Sequence, residues 1–119
     1  MDVTFDRLED CLVVRLRGRL DRLTSGPFEQ TLQREMTPPA VSVAFDCRHL
    51  EYVSSAGLRV VLATAKALRP AGHSVVLFGM QPMVREVFDI SGFSEFLAIL
   101  LDEPAALAAV RAPGRGLPG

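Results

Sequence analysis

Tryptophan is absent from this 119-residue chain, histidine and cysteine occur twice each, and there is one tyrosine. Cys11 and Cys47 match no metal or redox spacing, and one pair makes no disulfide framework. Buried free thiols in a cytosolic protein account for them most simply. His49 and His73 do not cluster with the cysteines, so the sequence predicts no metal site and no cofactor. Neither sign of charge predominates: 13 Lys and Arg against 14 Asp and Glu leave a net charge of −1. The basic footprint of a nucleic-acid binder is therefore missing. Long hydrophobic runs are missing too. Val75–Phe78 and Phe96–Leu101 are far too short to cross a bilayer. Met1–Asp6 carries no basic segment followed by an apolar one, so no secretory signal is expected and a cytoplasmic location is. Phosphate-binding glycine motifs do not occur, and the residue two before Ser55 is Val53, not the glycine of a nucleophile elbow.

What is present is apolar periodicity. Hydrophobic residues make up 49% of the chain, enough for one domain with a real core. Val3–Leu8 and Cys11–Arg17 read as two strands joined at Glu9-Asp10 in a hairpin. Leu12, Val14 and Leu16 share one face of the second strand. Val13, Arg15 and Arg17 share the other, which suggests a face partly open to water. Gly18 is expected to end the strand, and Arg19–Leu23 to be a connection with Asp21 as a possible cap. Thr24-Ser-Gly-Pro27 signals a helix start, with Phe28, Leu32 and Met36 inward and Pro38-Pro39 as its stop. Val41, Val43 and Phe45 alternate up to Asp46 as a third strand, followed by a short loop.

A second helix follows that loop. Leu58, Val61, Leu62, Ala65 and Leu68 recur at helical spacing, with Ser54-Ser55 at the cap position. Pro70-Ala-Gly72 breaks it. His73–Phe78 reads as a strand covered on both faces. Gly79-Met-Gln-Pro82 opens a helix with Val84, Val87 and Phe88 inward, and Gly92 closes it. Phe96–Leu100 is expected to be a last buried strand. Asp102-Glu-Pro104 starts a final helix with Leu107 and Val110 inward. The Pro- and Gly-rich stretch 112–119 is expected to be a frayed tail, leaving 1–111 as the domain. The order β-β-α-β-α-β-α-β-α implies an α/β fold with a mixed sheet of about five strands. The crossover rule puts the helices on one main face.

Ser54-Ser55-Ala56-Gly57 is the stretch with chemical potential. Amides at a helix start lack intrahelical partners and carry partial positive charge, so a phosphate is tolerated there. Four roles suit such a serine: ligand, nucleophile, phosphate acceptor or plain cap. Hydrolysis needs a base, and His49, six residues upstream, is the candidate partner. Gly57 costs about 1 kcal/mol relative to alanine inside a helix. With Ala56 it leaves the helix start uncovered, open to close approach by another protein. Val60 and Ala67 fall off the inner stripe, which predicts an apolar strip along the exposed side.

Asp46, Leu50, Tyr52-Val-Ser-Ser-Ala-Gly-Leu58 and Val60-Val-Leu62 resemble the signature of the STAS domain family, in particular its stand-alone bacterial anti-sigma-factor antagonists. Gly18-Arg-Leu-Asp21 resembles the family's turn after the second strand, and Gly79–Phe93 its fourth-strand-to-helix segment. The resemblance covers the chain to about Val110. It implies the STAS fold and a non-enzymatic role: binding an anti-sigma factor, often a serine kinase, so that a sigma factor is freed. It also implies phosphorylation of a serine, which falls on Ser55, and reversal by a serine phosphatase. The family often has a carboxylate just before that serine; this chain has Ser54. The family's aspartate near the acceptor falls on Asp21. A partner surface is expected at Asp21, Ser54, Ser55, Ala56, Gly57 and Arg59. The family also includes non-switching interaction subunits of lipid-transport and stress-signalling assemblies, which form the alternative reading.

Overall fold

The computed structural model describes residues 1–36 and 41–111. Pro38-Pro39, expected to stop the first helix, and the expected tail 112–119 lie outside the described residues. The elements are β1 (Asp2–Arg7), β2 (Cys11–Leu20), α1 (Arg22–Met36), β3 (Ser42–Val53), α2 (Ser55–Leu68), β4 (Val75–Phe78), α3 (Pro82–Ile90), β5 (Ala98–Leu100) and α4 (Glu103–Val110). One five-stranded sheet runs β1-β2-β3-β4-β5. The β1–β2 hairpin is antiparallel and every later pair is parallel. The expected mixed sheet and element order are what the chain forms.

Because each strand follows its neighbour in sequence, three right-handed crossovers put α1, α2 and α3 on the same face. Leu12, Val14, Val43, Phe45, Val75 and Leu77 point there and form the main core with Phe28, Leu32, Leu58, Val61, Val84 and Phe88. The Phe28 and Phe45 rings meet edge to face at 6.4 Å. The expectation of helices on one face fails for α4. It packs Ala106 and Val110 on the opposite face, over Cys11, Val13, Ala44, Val76 and Phe78. A terminal helix closes no crossover, so handedness does not constrain it, and the apolar residues of that face need cover. Val13 is thus buried rather than open to water, Arg17 is exposed, and Ala106 rather than Leu107 is the centre of α4's contact. Burial pushes the Cys11 thiol up to about 11 and the Cys47 thiol to about 12, which keeps both protonated and unreactive.

α4 is tied down by charge. Arg15 donates to Asp6 of β1 at 2.6 Å, to Asp46 of β3 at 3.0 Å and to Glu103 of α4 at 2.8 Å. Arg48 holds Asp46 from the other side, through Nε at 3.0 Å and Nη2 at 2.8 Å. Asp46, first residue of the signature, is 2% exposed and is a structural anchor. Burial alone would raise its pKa, but hydrogen bonds from Arg48 and Arg15 outweigh that and hold it near 2, below an ordinary 3.8.

Three other expectations shift. Gly18 does not end β2. It takes φ +103°, a left-handed value that glycine tolerates, and the strand continues through register shifts at Arg15/Arg17 and Gly18/Arg19 to Leu20. The expected loop after Asp46 is strand as well. Gly18, Arg19 and Leu20 pair with Leu50, Tyr52 and Val53. β2 and β3 therefore overrun the short β4 and β5 as a two-stranded ribbon. Phe96, expected in a buried strand, is 58% exposed, because it closes a 3-10 turn (Phe93–Glu95) ahead of the three-residue edge strand.

Gly57 is also not where its neighbours suggested. It is buried, and a Cβ on it would stand 2.7 Å from Leu20 Cγ and 2.9 Å from the Leu20 carbonyl oxygen. The glycine lets α2 sit on the tip of β2; it is not a gap left for a partner. Val60 is buried as well, at 5% exposure, so of the expected apolar strip on the outside of α2 only Ala67 is exposed, while Leu62, expected inward, is half-buried beside the small residues.

Two outcomes follow from these contacts. Gly57→Ala gains up to about 1 kcal/mol of helix propensity but collides with backbone, and overpacking costs about 1–3 kcal/mol. The urea midpoint should therefore fall, and an unchanged or raised midpoint would refute the contact. Asp46 has a depressed folded pKa, so its stabilising effect is present above the unfolded value near 3.8 and is lost as pH falls toward 2. Asp46→Asn should cost about 1–3 kcal/mol at neutral pH and flatten the stability curve between those pH values in acid titrations followed by circular dichroism.

Candidate functional site

The β2–β3 ribbon ends in two adjacent helix starts. At the end of β2 the Leu20 carbonyl accepts a hydrogen bond from the Ser54 amide at 2.9 Å. The chain turns into α1 one residue after Leu20 and into α2 one residue after Val53. Asp21 and Ser54 thus sit side by side, each at a helix N-terminus.

Asp21 caps α1, which starts at Arg22, ahead of the expected Thr24–Pro27; Pro27 lies inside the helix. Asp21 Oδ1 accepts from the amides of Leu23 at 3.0 Å and Thr24 at 3.1 Å. Thr24 Oγ1 in turn accepts from the Asp21 amide at 2.8 Å. This is a reciprocal capping box with threonine in the usual glutamate place. The bond from the Thr24 amide is the chief reason the Asp21 carboxyl sits below its ordinary pKa, and Arg19 adds to it. Asp21 is therefore a fixed, ionised group. Arg19 Nε stands 3.9 Å from Asp21 Oδ2, and the Arg19 guanidinium lies over the Tyr52 ring at 4.2 Å.

Ser54 is the α2 N-cap. Its backbone is extended, and its Oγ accepts from the Gly57 amide at 3.3 Å. Ser55 is the first residue of the helix and is exposed. No acidic side chain lies in the first turn of the 14-residue α2 itself, so Asp21 of the adjacent helix start is the carboxylate that faces its positive end. The two serines have separate positions: Ser54 is occupied as a cap, while Ser55 presents its hydroxyl to solvent. Ala56 is half-buried and Arg59, one turn along, is exposed. Of the six residues expected at the partner surface, Asp21, Ser54, Ser55, Ala56 and Arg59 share this end of the molecule, and Gly57 lies beneath it.

Hydrolytic chemistry finds no base here. His49 sits on β3, and strand geometry carries it roughly 13 Å from Val53. It lines a cleft of about 240 Å³ with Asp2, Thr4, Arg17 and Arg48. Among the described residues no group of three or more His, Cys, Asp or Glu is placed to hold a metal ion. No helix among them is long and apolar enough to cross a membrane.

Sequence reasoning missed Arg19, Tyr52, Arg22 and the exposed Leu23 as part of this end. The signal for Arg19 and Tyr52 was available, because they are cross-strand neighbours once the ladder passes Gly18. The groove beside the site is a tertiary feature. α1 and α2 enclose about 520 Å³ of open volume between Arg22 and Glu29 on one side and Ala56, Arg59 and Lys66 on the other.

Comparison with known proteins gives a consistent picture. BtrV of Bordetella bronchiseptica, whose name describes an anti-sigma factor antagonist, is 37% identical over 111 residues, spanning 93% of this chain and 96% of that protein. The solved structure of the anti-sigma factor antagonist SpoIIAA in its unphosphorylated form shares the fold with a TM-score of 0.79. It is 23% identical, covering 92% of this chain and 96% of that one. The phosphorylated form of SpoIIAA, a Bacillus cell fate determinant, gives a TM-score of 0.71 at 22% identity, over 92% of this chain and all of that one. Residues 2–106 match the STAS domain, and the chain belongs to that family.

Proposed function

We propose that this chain is an anti-sigma-factor antagonist, a binding regulator and not an enzyme, switched by phosphorylation of Ser55. The observation that carries the reading is the exposed Ser55 hydroxyl at the start of α2 beside the fixed carboxylate of Asp21. The name of BtrV supports the partner class, and the existence of SpoIIAA in a phosphorylated form supports a phosphate switch on this fold. In this reading the partner is an anti-sigma factor that acts as a serine kinase, a serine phosphatase reverses the modification, and the exchange takes place in the cytoplasm.

The chemistry suits such a switch. A phosphoserine brings about −1.5 to −2 charges and three acceptor oxygens. In the free protein the first amides of α2 and Arg59, one turn along, receive that charge, so the modified chain stays folded. In a complex the same dianion is desolvated next to ionised Asp21, where like charge and burial both act against it. Moving from mostly bound to mostly free needs a difference of about 5.5 kcal/mol.

Two experiments check this. Incubation with the partner kinase and ATP, followed by mass spectrometry, should place the phosphate on Ser55. Ser55→Ala should bind the anti-sigma factor constitutively, and Ser55→Asp should bind it poorly. Phosphate on Ser54 alone would contradict the assignment, and intact binding with no phosphate would favour a non-switching interaction subunit. Ser54→Ala removes a cap, so its expected effect is a loss of about 1 kcal/mol of stability with binding largely retained, read by thermal melts beside titration calorimetry.

A further inference from the structure

The groove between α1 and α2 has an unusual charge pattern for a chain of net charge −1. Arg7, Arg15, Arg19, Arg48, Arg85 and Arg111 each stand within ion-pair distance of a carboxylate. Among the described residues Arg17, Arg22, Arg34, Arg59, Lys66 and Arg69 make no ion pair, and three of these six, Arg22, Arg59 and Lys66, line this groove. Among the described residues Glu29 is the one carboxylate on its walls. The spacing explains the convergence. Arg22, Ser25 and Glu29 lie on one stripe of α1, and Ala56, Arg59, Ala63 and Lys66 on one stripe of α2. Ser25 and Val60 form its buried floor, Leu62 adds apolar surface, and Gly26, Ala56 and Ala63 keep its sides free of bulk, so a third helix can approach closely. The groove runs away from Ser55 along α2.

We propose that this groove receives an acidic amphipathic segment of the anti-sigma partner, and that phosphate on Ser55 weakens the contact by competing for the same cations. The proposal rests on the antagonist reading for the identity of the partner; the charge preference of the groove stands separately. Apolar surface from Val60, Leu62 and the alanines, with unpaired cations at the rim, calls for an occupant with an apolar face bordered by Glu or Asp. Ser55 and Arg59 are four residues apart on α2, so they are neighbours on its surface. A phosphate there cancels part of the positive rim and repels an acidic occupant. Its effect is thereby partly long-range and screened by salt, unlike a purely steric block.

The test uses the full chain, isotope-labelled for NMR, and a synthetic helical peptide of about 16 residues, long enough to span the groove, with Glu on one face and Leu and Ala on the other. The acidic peptide should shift the amides of Gly26, Ala56 and Ala63. Arg22→Glu with Lys66→Glu should weaken it by about tenfold, and Glu29→Lys should tighten it. Ser55→Asp should weaken it at about 0.05 M salt and much less at about 0.5 M. Equal binding of a Lys-for-Glu peptide, equal binding of oligothymidylate or anionic vesicles in the groove, or shifts confined to other faces would overturn the proposal. With the anti-sigma factor itself, about tenfold weaker binding by the Arg22/Lys66 double variant supports it. Unchanged binding by that variant, with loss on Ser55→Asp, defeats the groove and leaves the antagonist reading intact. An anti-sigma factor that binds no form of the chain defeats the antagonist reading, while the peptide data still decide the charge preference. Circular dichroism of each variant separates misfolding from lost binding.

Discussion

The hydrogen bond from the Ser54 amide to the Leu20 carbonyl is the contact on which the site depends. It closes the β2–β3 ribbon at its tip and fixes where α2 begins relative to α1. Gly57 makes the arrangement possible, because any side chain there meets Leu20 within van der Waals limits. The costs of this junction are a glycine in a helix and a left-handed glycine in a strand, at Gly57 and Gly18. In return two helix N-termini are held side by side, one capped by a carboxylate and one by a serine. The capped pair leaves Ser55 as the free hydroxyl, which is why a one-residue difference between Ser54 and Ser55 matters chemically.

Away from the tip, the fold isolates the site from the terminal helix. α4 is anchored on the far face by Arg15 through Asp6, Asp46 and Glu103. That network is half-buried and shared by four elements, β1, β2, β3 and α4. Charge at the two ends of the molecule is therefore handled differently. At the Asp46 end Arg15 and Arg48 are matched by carboxylates. Between α1 and α2, Arg22, Arg59 and Lys66 are left unmatched among the described residues. Unmatched charge of this second kind gives fast attraction that salt screens.

The elements and their order were legible because apolar periodicity survives wherever one face of an element is buried. Leu12, Val14 and Leu16 on β2, and Val84 and Phe88 on α3, sit inward as their spacing requires. Ser54 and Asp102 cap their helices as their residue types suggest. The misreadings have a common cause, which is that local signals were overridden by pairing across the chain. Gly18 reads as a stop, yet the ladder to β3 carries β2 past it. Cys47–Tyr52 reads as loop, yet the same ladder makes it strand. Gly57 reads as an open door, yet Leu20 fills the space. α4 crosses to the other face because no following strand dictates its side. For the proposed site, the placement of the serines at the start of α2, with Asp21 at a cap and Arg59 one turn along, was readable from type and position. Arg22 was not, since its place opposite Arg59 depends on how α1 packs on α2.

The central claim is that the unmodified chain and a sigma factor compete for one anti-sigma factor, and that phosphate on Ser55 decides the competition. The most direct measurement is displacement of a labelled sigma factor from its preformed complex with the anti-sigma factor, followed by fluorescence anisotropy. The unmodified chain should release the sigma factor in a saturable manner, and the Ser55-phosphorylated chain should leave the complex intact over the same concentrations. Equal release by both forms, or release by neither, would contradict the account.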